Sequence, residues 1–293
     1  MIHSKLNSPG LAFRELLQSG TATLPGVYDA ITAKVAQKAG AKALYLSGAG
    51  VTNSMTALPD IALITMDEMA RQANYVCSAV EIPVIADADT GYGEALNVSR
   101  TIKEFEKVGL AGCHLEDQVS PKRCGHLDGK QVIKSSDMCS KIRAALSARN
   151  DPNFYIIART DSRGVNSLED AIERGNAYVS AGADCIFPEG LITISEFETY
   201  RKEVPGHLLA NMTEFGKTEL ITVKQFADMG YELVIFPMTA FRTMLKSVTE
   251  TYETLLHEGT QTRLLDKMKT RQELYDLIEY PAYEELDKRL SSS

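Results

Sequence analysis

The chain has 293 residues, of which 44% are hydrophobic and 24% are charged, and its formal net charge is −8. This composition is typical of a globular protein and excludes a disordered or fibrous one. The acidic balance argues against nucleic acid or an anionic membrane as the main partner, because either would favour a basic patch. Length alone is compatible with two small domains or with one large α/β domain.

Targeting signals and cysteines give further expectations. The sequence shows neither a signal-peptide pattern nor an apolar run long enough to span a membrane. Its cysteines, at positions 77, 113, 124, 139 and 185, are odd in number and form no CxxC pair. Such a set indicates free thiols rather than a disulfide framework or a zinc cage. We therefore expect a cytoplasmic protein that binds neither membrane nor nucleic acid.

Short apolar runs bounded by turn residues predict eight β-strands. They lie at residues 24–29, 43–48, 83–89, 112–117, 154–160, 185–190, 207–213 and 233–238. Helical periodicity appears between them, notably at 31–40, 97–109, 136–146 and 167–182. Eight repeated βα units indicate a (β/α)8 barrel of the TIM type, although periodicity alone would also suit a doubly wound open sheet.

Polar residues at the strand ends favour the barrel. In nearly every unit the apolar run is followed by a polar or charged side chain; these are Ser47, Asp87, Asp89, Glu116, Asp117, Arg159, Asp161, Glu189, Asn211, Thr213 and Arg242. A barrel brings the chemistry of all its strands to one end, whereas an open sheet concentrates it at a switch point. We expect one barrel domain over residues 1–293.

Helical patterns continue beyond the last predicted strand. They lie near residues 241–258 and 262–279, and after a break at Pro281 a charged tail helix follows. Closing a barrel does not require so many helices. The sequence therefore predicts a helical extension from about residue 241, with at least one helix that packs on a neighbouring subunit.

Two acidic stretches predict a metal site. The stretch ADADTGYG, residues 86–93, ends a predicted strand with Asp87 and Asp89. Alternate residues of a strand share a face, and paired carboxylates are oxygen ligands suited to Mg²⁺ or Mn²⁺. The stretch HLED, residues 114–117, ends the next strand with Glu116. Each stretch alone would also suit a turn or a salt-bridged strand end, but together they favour a metal.

One thiol lies in a basic stretch. In PKRCGHLDGK, residues 121–130, Cys124 is surrounded by Lys122, Arg123 and His126. Neighbouring positive charge favours the thiolate and lowers a cysteine pKa, which suits acid–base or nucleophilic chemistry. The alternatives are a buried inert cysteine and a solvated basic loop with an incidental one. A zinc site is disfavoured, because Cys124 and His126 lack two further ligands nearby.

Arginines are the candidate anion-binding groups. Arg159, Arg242 and Arg271 could each form paired hydrogen bonds to a carboxylate of a small polyanion. Each could also be a surface ion-pair partner, but the first two follow strand ends. Their placement favours a substrate with several carboxylates.

The stretches DADTGYG, HLEDQ, KRCGH, ARTD, FPEG, NMTEFG and FPMTAFR occur in this order along the whole chain. In order and spacing they resemble the isocitrate lyase and phosphoenolpyruvate mutase superfamily, and KRCGH is similar to the loop of its methylisocitrate branch. One departure is SGAG at residues 47–50, where some relatives carry SGGG.

This resemblance implies a fold, a reaction and an assembly. The fold is a (β/α)8 barrel whose terminal helix is exchanged with a neighbour, in a homotetramer. The reaction is the Mg²⁺-dependent cleavage of the tricarboxylate 2-methylisocitrate to pyruvate and succinate, in propionate catabolism. Alternatives are an isocitrate lyase or a related lyase acting on another substituted malate, a non-catalytic barrel that binds Mg²⁺ and a dicarboxylate, and a redox sensor built on Cys124.

The resemblance also implies roles for individual residues. Asp87 and Asp89 hold Mg²⁺, with Mn²⁺ as a possible substitute, and Glu116 contributes through water. Cys124 is the catalytic acid, and Tyr45 is the first candidate for the base. The residues implied to contact substrate are Ser47, Gly48, Ala49, Cys124, Gly125, Arg159, Glu189, Asn211, Met212, Thr213, Arg242 and Arg271.

Overall fold

The computed structural model describes residues 6–123 and 129–292. Within these ranges, eight parallel strands form a closed barrel in chain order. They are β1 (Ala22–Val27), β2 (Leu44–Leu46), β3 (Val84–Asp87), β4 (Gly112–Glu116), β5 (Tyr155–Thr160), β6 (Cys185–Pro188), β7 (His207–Asn211) and β8 (Leu233–Phe236). Pairing of β1 with β8, which sets Ala22 opposite Leu233, completes the ring. The predicted barrel is confirmed, and the open sheet is excluded.

Helices connect the strands and continue after the last of them. They are α1 (Pro9–Leu17), α2 (Ala30–Lys38), α3 (Gly48–Thr56), α4 (Met66–Ala79), α5 (Ala95–Val108), α6 (Ser135–Ala148), α7 (Ser162–Val165), α8 (Leu168–Ser180), α9 (Ile194–Glu203), α10 (Val223–Met229), α11 (Thr239–Glu258), α12 (Arg271–Leu277) and α13 (Tyr280–Ser291). The four predicted helical segments between strands correspond to α2, α5, α6 and α8. None of the described helices combines the length and apolar composition needed to cross a bilayer.

Two layers of apolar side chains build the core. Inward-facing strand residues, such as Ile85, Ile157 and Leu209, fill the barrel itself. Their neighbours, such as Ala86, Ile156 and Leu208, pack outward against the helices. This alternation follows from the two-residue period of a strand, so the barrel is a packed core with room for a ligand at one end.

The C-terminal extension differs from its prediction in detail. The pattern predicted as one helix over 262–279 is a 3₁₀-helix, Thr262–Lys267, followed by α12. The interruption arises because Thr270 begins a new helix in a capping box with Glu273. Pro281 lies in the first turn of α13, where a missing N–H costs nothing. That the extension and barrel form one domain remains a prediction.

The Asp117 carboxylate connects the ends of two strands to a helix. It directly follows β4 and is fully buried. Its Oδ1 accepts a hydrogen bond from the Asp161 main-chain N at 3.0 Å, and its Oδ2 accepts from Thr160 Oγ1 at 2.8 Å and Tyr178 Oη at 2.7 Å. Arg174 Nη1 lies 3.1 Å from the same Oδ2. One carboxylate thus joins the ends of β4 and β5 to α8.

We predict that Asp117→Asn lowers the free energy of unfolding by about 3 kcal/mol, because it removes one partner of a buried ion pair. Asp170→Asn is the matched control, since Asp170 pairs with the same arginine at 2.9 Å but its side chain is 31% exposed. It should cost about 1 kcal/mol or less. Urea denaturation measures both, and equal losses would contradict the assignment of Asp117 as a buried anchor.

Candidate active site

A cavity of about 230 Å³ lies at the carboxyl ends of the strands. Its wall includes most of the predicted site residues: Tyr45, Ser47, Ala49, Asp87, Arg159, Glu189, Asn211, Thr213 and Arg242. It also includes Lys122, which the sequence analysis named only as a neighbour of Cys124. Six further residues of the wall were not singled out from the sequence: Asn53, Asp60, Phe187, Ile235, Pro237 and Met238. Barrel enzymes carry their active sites at this end.

The acidic cluster is built from two neighbouring strand ends. Asp87 ends β3, and Asp89 lies past the strand with a left-handed φ of 46°. The two aspartates therefore converge through a turn, with the Asp89 main-chain N donating to Asp87 Oδ1 at 2.8 Å, and not through strand alternation. Aspartate tolerates this conformation better than most residues. Glu116 ends β4 and is fully buried.

The three carboxylates of this cluster differ in the direction of their pKa shifts. It raises the pKa of Asp89 to about 6 and raises the pKa of Glu116 well above its ordinary value. For Asp87, burial also raises the pKa, but facing positive groups that include Lys122 and Arg159 outweigh it and leave the pKa below its ordinary value. The cluster therefore carries more negative charge than its surroundings readily stabilise.

These residues fit a hydrated divalent cation. Within the described ranges, no three His, Cys, Asp or Glu side chains converge closely enough to enclose a metal. Mg²⁺ does not need such a cage, because it usually keeps several waters and binds one or two carboxylates plus substrate oxygens. Both carboxylate oxygens of Glu116 are buried without a hydrogen bond. Buried acceptors left in this state are costly, and a metal-bound water would satisfy them.

Glycine at position 48 lets the acidic cluster approach helix α3. A Cβ at Gly48 would lie 2.5 Å from Asp87 Oδ2. Ser47 caps the same helix, its hydroxyl accepting from the Gly50 main-chain N at 3.1 Å. The positive end of α3 therefore faces Asp87 and helps to stabilise its negative charge. Ala49 lies on the cavity wall beside them.

Arg159 is held rigidly inside the cavity. Its Nε and Nη2 donate to the two carboxylate oxygens of Asp161 at 2.9 and 3.1 Å. Its Nε also lies 3.4 Å from Glu116 Oε2, and its Nη1 lies 3.8 Å from Glu189 Oε2. The guanidinium stacks over the Phe187 ring at 5.1 Å. Facing carboxylates raise its pKa despite burial, so it remains a fixed positive charge.

A second polar group lines the cavity after β7. Asn211 Nδ2 donates to Glu189 Oε2 at 3.1 Å, while Asn211 Oδ1 is buried without a hydrogen bond. Arg242 Nη1 donates to Glu214 Oε2 at 2.6 Å and to Thr213 Oγ1 at 3.2 Å. Sequence reasoning missed Glu214, although NMTEFG contains it. Amide and guanidinium donors in one cavity suit a ligand that carries carboxylates.

Tyr45 forms a buried pair with His114. Its Oη lies 2.8 Å from His114 Nε2, and the two rings stack with centroids 5.8 Å apart. Burial raises the pKa of Tyr45 well above its ordinary value and lowers the pKa of His114. A neutral phenol beside a neutral imidazole argues against a resting phenolate. His114 opened the HLED stretch, but its contact with Tyr45 requires the register of two separate strands.

Other predicted site residues lie elsewhere. The Met212 side chain packs in the outer core, where its Sδ accepts from the Ile221 main-chain N at 3.4 Å, so it does not line the cavity. Arg271 is exposed at the start of α12, away from the cavity wall. Cys124 and Gly125 lie outside the described residues. Of the described cysteines, Cys113, Cys139 and Cys185 are free, as expected.

Curated relatives match nearly the whole chain. A 2-methylisocitrate lyase of Aeropyrum pernix is 50% identical over 98% of this chain and 92% of its own length. A 2-methylisocitrate lyase of Escherichia coli is 42% identical over 96% of this chain and 95% of its own length.

Solved structures agree with the fold. A 2,3-dimethylmalate lyase is 34% identical with a TM-score of 0.91, covering 97% of this chain and 96% of that one. A phosphonopyruvate hydrolase in complex with oxalate and Mg²⁺ is 27% identical with a TM-score of 0.87, covering 96% and 99%. The family model described as phosphoenolpyruvate phosphomutase matches residues 13–256. The chain therefore belongs to the phosphoenolpyruvate phosphomutase family, within the isocitrate lyase and phosphoenolpyruvate mutase superfamily.

Proposed function

We propose that this chain is a Mg²⁺-dependent carbon–carbon lyase that cleaves 2-methylisocitrate to pyruvate and succinate. The observation that carries the proposal is one cavity in which Asp87, a member of the acidic cluster that fits a cation, lies on the same wall as Arg159 and Arg242. That pairing suits a substrate with a hydroxyl and several carboxylates. The names of the relatives, at 42% and 50% identity, support this substrate over others.

The chain's own residues would bind and orient the substrate. Arg159, Arg242 and the edge from Asn211 to Thr213 would hold its carboxylates, which fixes the bond to be broken. Asp87 and Asp89 would hold Mg²⁺, with Glu116 acting through water. When bound, the metal would supply Lewis-acid stabilisation at the hydroxyl and the adjacent carboxylate.

Cleavage requires one proton acceptor and one proton donor. The hydroxyl proton must leave as the carbon–carbon bond breaks, and the electron pair of that bond remains on the succinate carbon. Tyr45 in its neutral form can accept the hydroxyl proton only by passing its own proton to His114, whose Nε2 lies 2.8 Å away. Cys124 would then protonate the succinate carbon. Arg159 would stabilise the charge that develops on the succinate carboxylate.

An apolar part of the cavity suits the methyl group. Phe187, Ile235 and Pro237 lie on the same wall as the polar donors. One methyl group in such a pocket contributes about 1–3 kcal/mol, or roughly 10–200-fold in specificity. This feature favours 2-methylisocitrate over isocitrate, the substrate of the alternative lyase.

The first test is a Mg²⁺-dependent assay with product identification. We predict pyruvate release from 2-methylisocitrate with a kcat/KM at least about tenfold above that for glyoxylate release from isocitrate, because the apolar wall rewards the methyl group. EDTA should abolish turnover, and Mg²⁺ should restore it. Faster glyoxylate release would identify an isocitrate lyase, and no metal-dependent turnover would favour a non-catalytic binding barrel.

The second test concerns the acid. Cys124→Ser should retain substrate binding but lower kcat by about 10²–10⁴-fold, because a hydroxyl is a far weaker acid than a thiol. Cys139→Ser on α6 is the control and should turn over normally, since Cys139 lies away from the cavity. Near-normal kcat in Cys124→Ser at saturating Mg²⁺ would refute the role. A redox sensor would instead respond to thiol oxidation without any lyase activity.

We further propose that the chain forms a homotetramer built from two dimers, and that the two chains of each dimer exchange α11. Of the described α11 residues, Phe241 and Thr254 are buried, while an apolar stripe is exposed: Leu245, Val248, Tyr252, Leu255 and Leu256. A groove of about 580 Å³ runs along β1 and α2, with Thr23, Pro25 and Ala36 in its wall. Barrel strands are normally covered by helices, so α11 of a second copy suits this groove.

We predict that Tyr252→Glu lowers the molar mass in light scattering from about four chains of 32.2 kDa to a smaller species, because it places a charge in the apolar stripe. Ser247→Glu, on the opposite face of α11, should leave the assembly unchanged. A wild-type chain that is monomeric at micromolar concentration would contradict the proposal, as would an equal effect of both substitutions.

A further inference from the structure

A lysine side chain lies inside the acidic cluster that fits a metal. Lys122 Nζ lies 3.0 Å from Asp89 Oδ1 and 2.5 Å from Asp60 Oδ1, and the side chain is 3% exposed. The buried ammonium donates a charge-assisted hydrogen bond to Asp60 and forms an ion pair with Asp89. Its position is therefore part of the site, and it contacts one of the two aspartates expected to hold the cation.

The backbone around Lys122 is built to keep it there. The Gln118 side chain forms two hydrogen bonds with the main chain of Arg123: its Nε2 donates to the Arg123 O at 2.8 Å, and its Oε1 accepts from the Arg123 N at 2.9 Å. Gln118 is itself buried, and it pairs with Val132 in an isolated β-bridge. These contacts fix the main chain next to Lys122, from which the lysine side chain extends.

Arg159, which is also buried and positively charged, has a different set of partners. Arg159 donates two hydrogen bonds to Asp161, which is not among the predicted metal ligands, and it lies at a longer 3.4 Å from Glu116, which is expected to act only through water. Lys122, by contrast, contacts Asp89 directly. A divalent cation bound to Asp89 would approach its carboxylate oxygens to about 2.1 Å. An ammonium on the same carboxylate would then face the cation at close range, with strong repulsion in a buried site.

We propose that Lys122 and the divalent cation compete for Asp89, and that Asp60 keeps the ammonium paired when the cation binds. The proposal rests on the metal site of the proposed function and deepens it. In the metal-free protein the lysine neutralises part of the acidic cluster. When the cation takes Asp89, the ammonium loses one carboxylate and retains the other, so the metal does not leave an unpaired buried charge behind.

The test is calorimetric titration of Mg²⁺ into full-length protein stripped of metal with EDTA, which needs no turnover. Lys122→Met should bind Mg²⁺ at least about tenfold more tightly than wild type, because the competing charge is gone. Lys122→Arg keeps the charge and should stay within about threefold of wild type. Lys103→Met removes an exposed charge on α5 and should change the Kd by less than about twofold, because exposed charges are screened.

The role of Asp60 is isolated by a double-mutant cycle. Asp60→Asn alone should weaken Mg²⁺ binding, because the lysine then loses its second carboxylate and holds Asp89 more strongly. The same substitution made in Lys122→Met should weaken binding much less, because no lysine remains to be accommodated. Equal effects in the two backgrounds would mean that Asp60 acts directly on the metal, and would overturn its assigned role.

The outcomes distinguish failure of this proposal from failure of the proposed function on which it rests. If wild-type protein binds no Mg²⁺, the metal site of the proposed function fails and the competition fails with it. If wild type binds Mg²⁺ but Lys122→Met binds it equally or more weakly, the competition alone is overturned. If circular dichroism shows that the methionine variant does not fold, Lys122→Gln replaces it in the titration, because glutamine retains hydrogen bonding without charge. Lys122→Gln should also bind Mg²⁺ more tightly than wild type.

Discussion

The site depends on balancing buried negative charge. Asp87, Asp89 and Glu116 are buried near the ends of two adjacent parallel strands, in a region with little access to water. Carboxylates placed so close together in a low-dielectric environment must be neutralised by cations or by protons. Lys122 and Arg159 supply part of that charge from the neighbouring segments. The remainder is what makes the cavity suited to a metal and to a substrate held through it.

The barrel serves this balance by fixing the directions of the charged groups. Arg159 cannot turn freely, because its guanidinium is held by both oxygens of Asp161. Asp161 is in turn held by Asp117, whose buried carboxylate joins two strand ends to α8. Positioning of this kind is set before substrate arrives, so binding energy need not be used to order the cavity. A chain of buried ion pairs and hydrogen bonds thus links the stability of the fold to the geometry of its site.

Some of this arrangement could be read from the sequence, because it depends on local order. The eight strands followed from apolar runs, and the polar residues after them predicted which end of the barrel would carry the site. Pairings between distant segments could not be read in this way. Asp60 lies in a loop without any motif, and its contact with Lys122 joins residues 62 positions apart. The pair of Tyr45 and His114 likewise depends on the register between strands of one closed sheet.

By itself, the sequence determined the class of fold, the acidic and basic residue types, and the family stretches, because strand period and side-chain chemistry are local properties. The tertiary structure alone decided how these groups meet. It placed Asp89 beyond its strand in a left-handed turn, turned Met212 into the outer core, and put a lysine against an expected metal ligand. Such contacts are decided by ring closure and by the demand that every buried charge find a partner, which no single segment of the chain encodes.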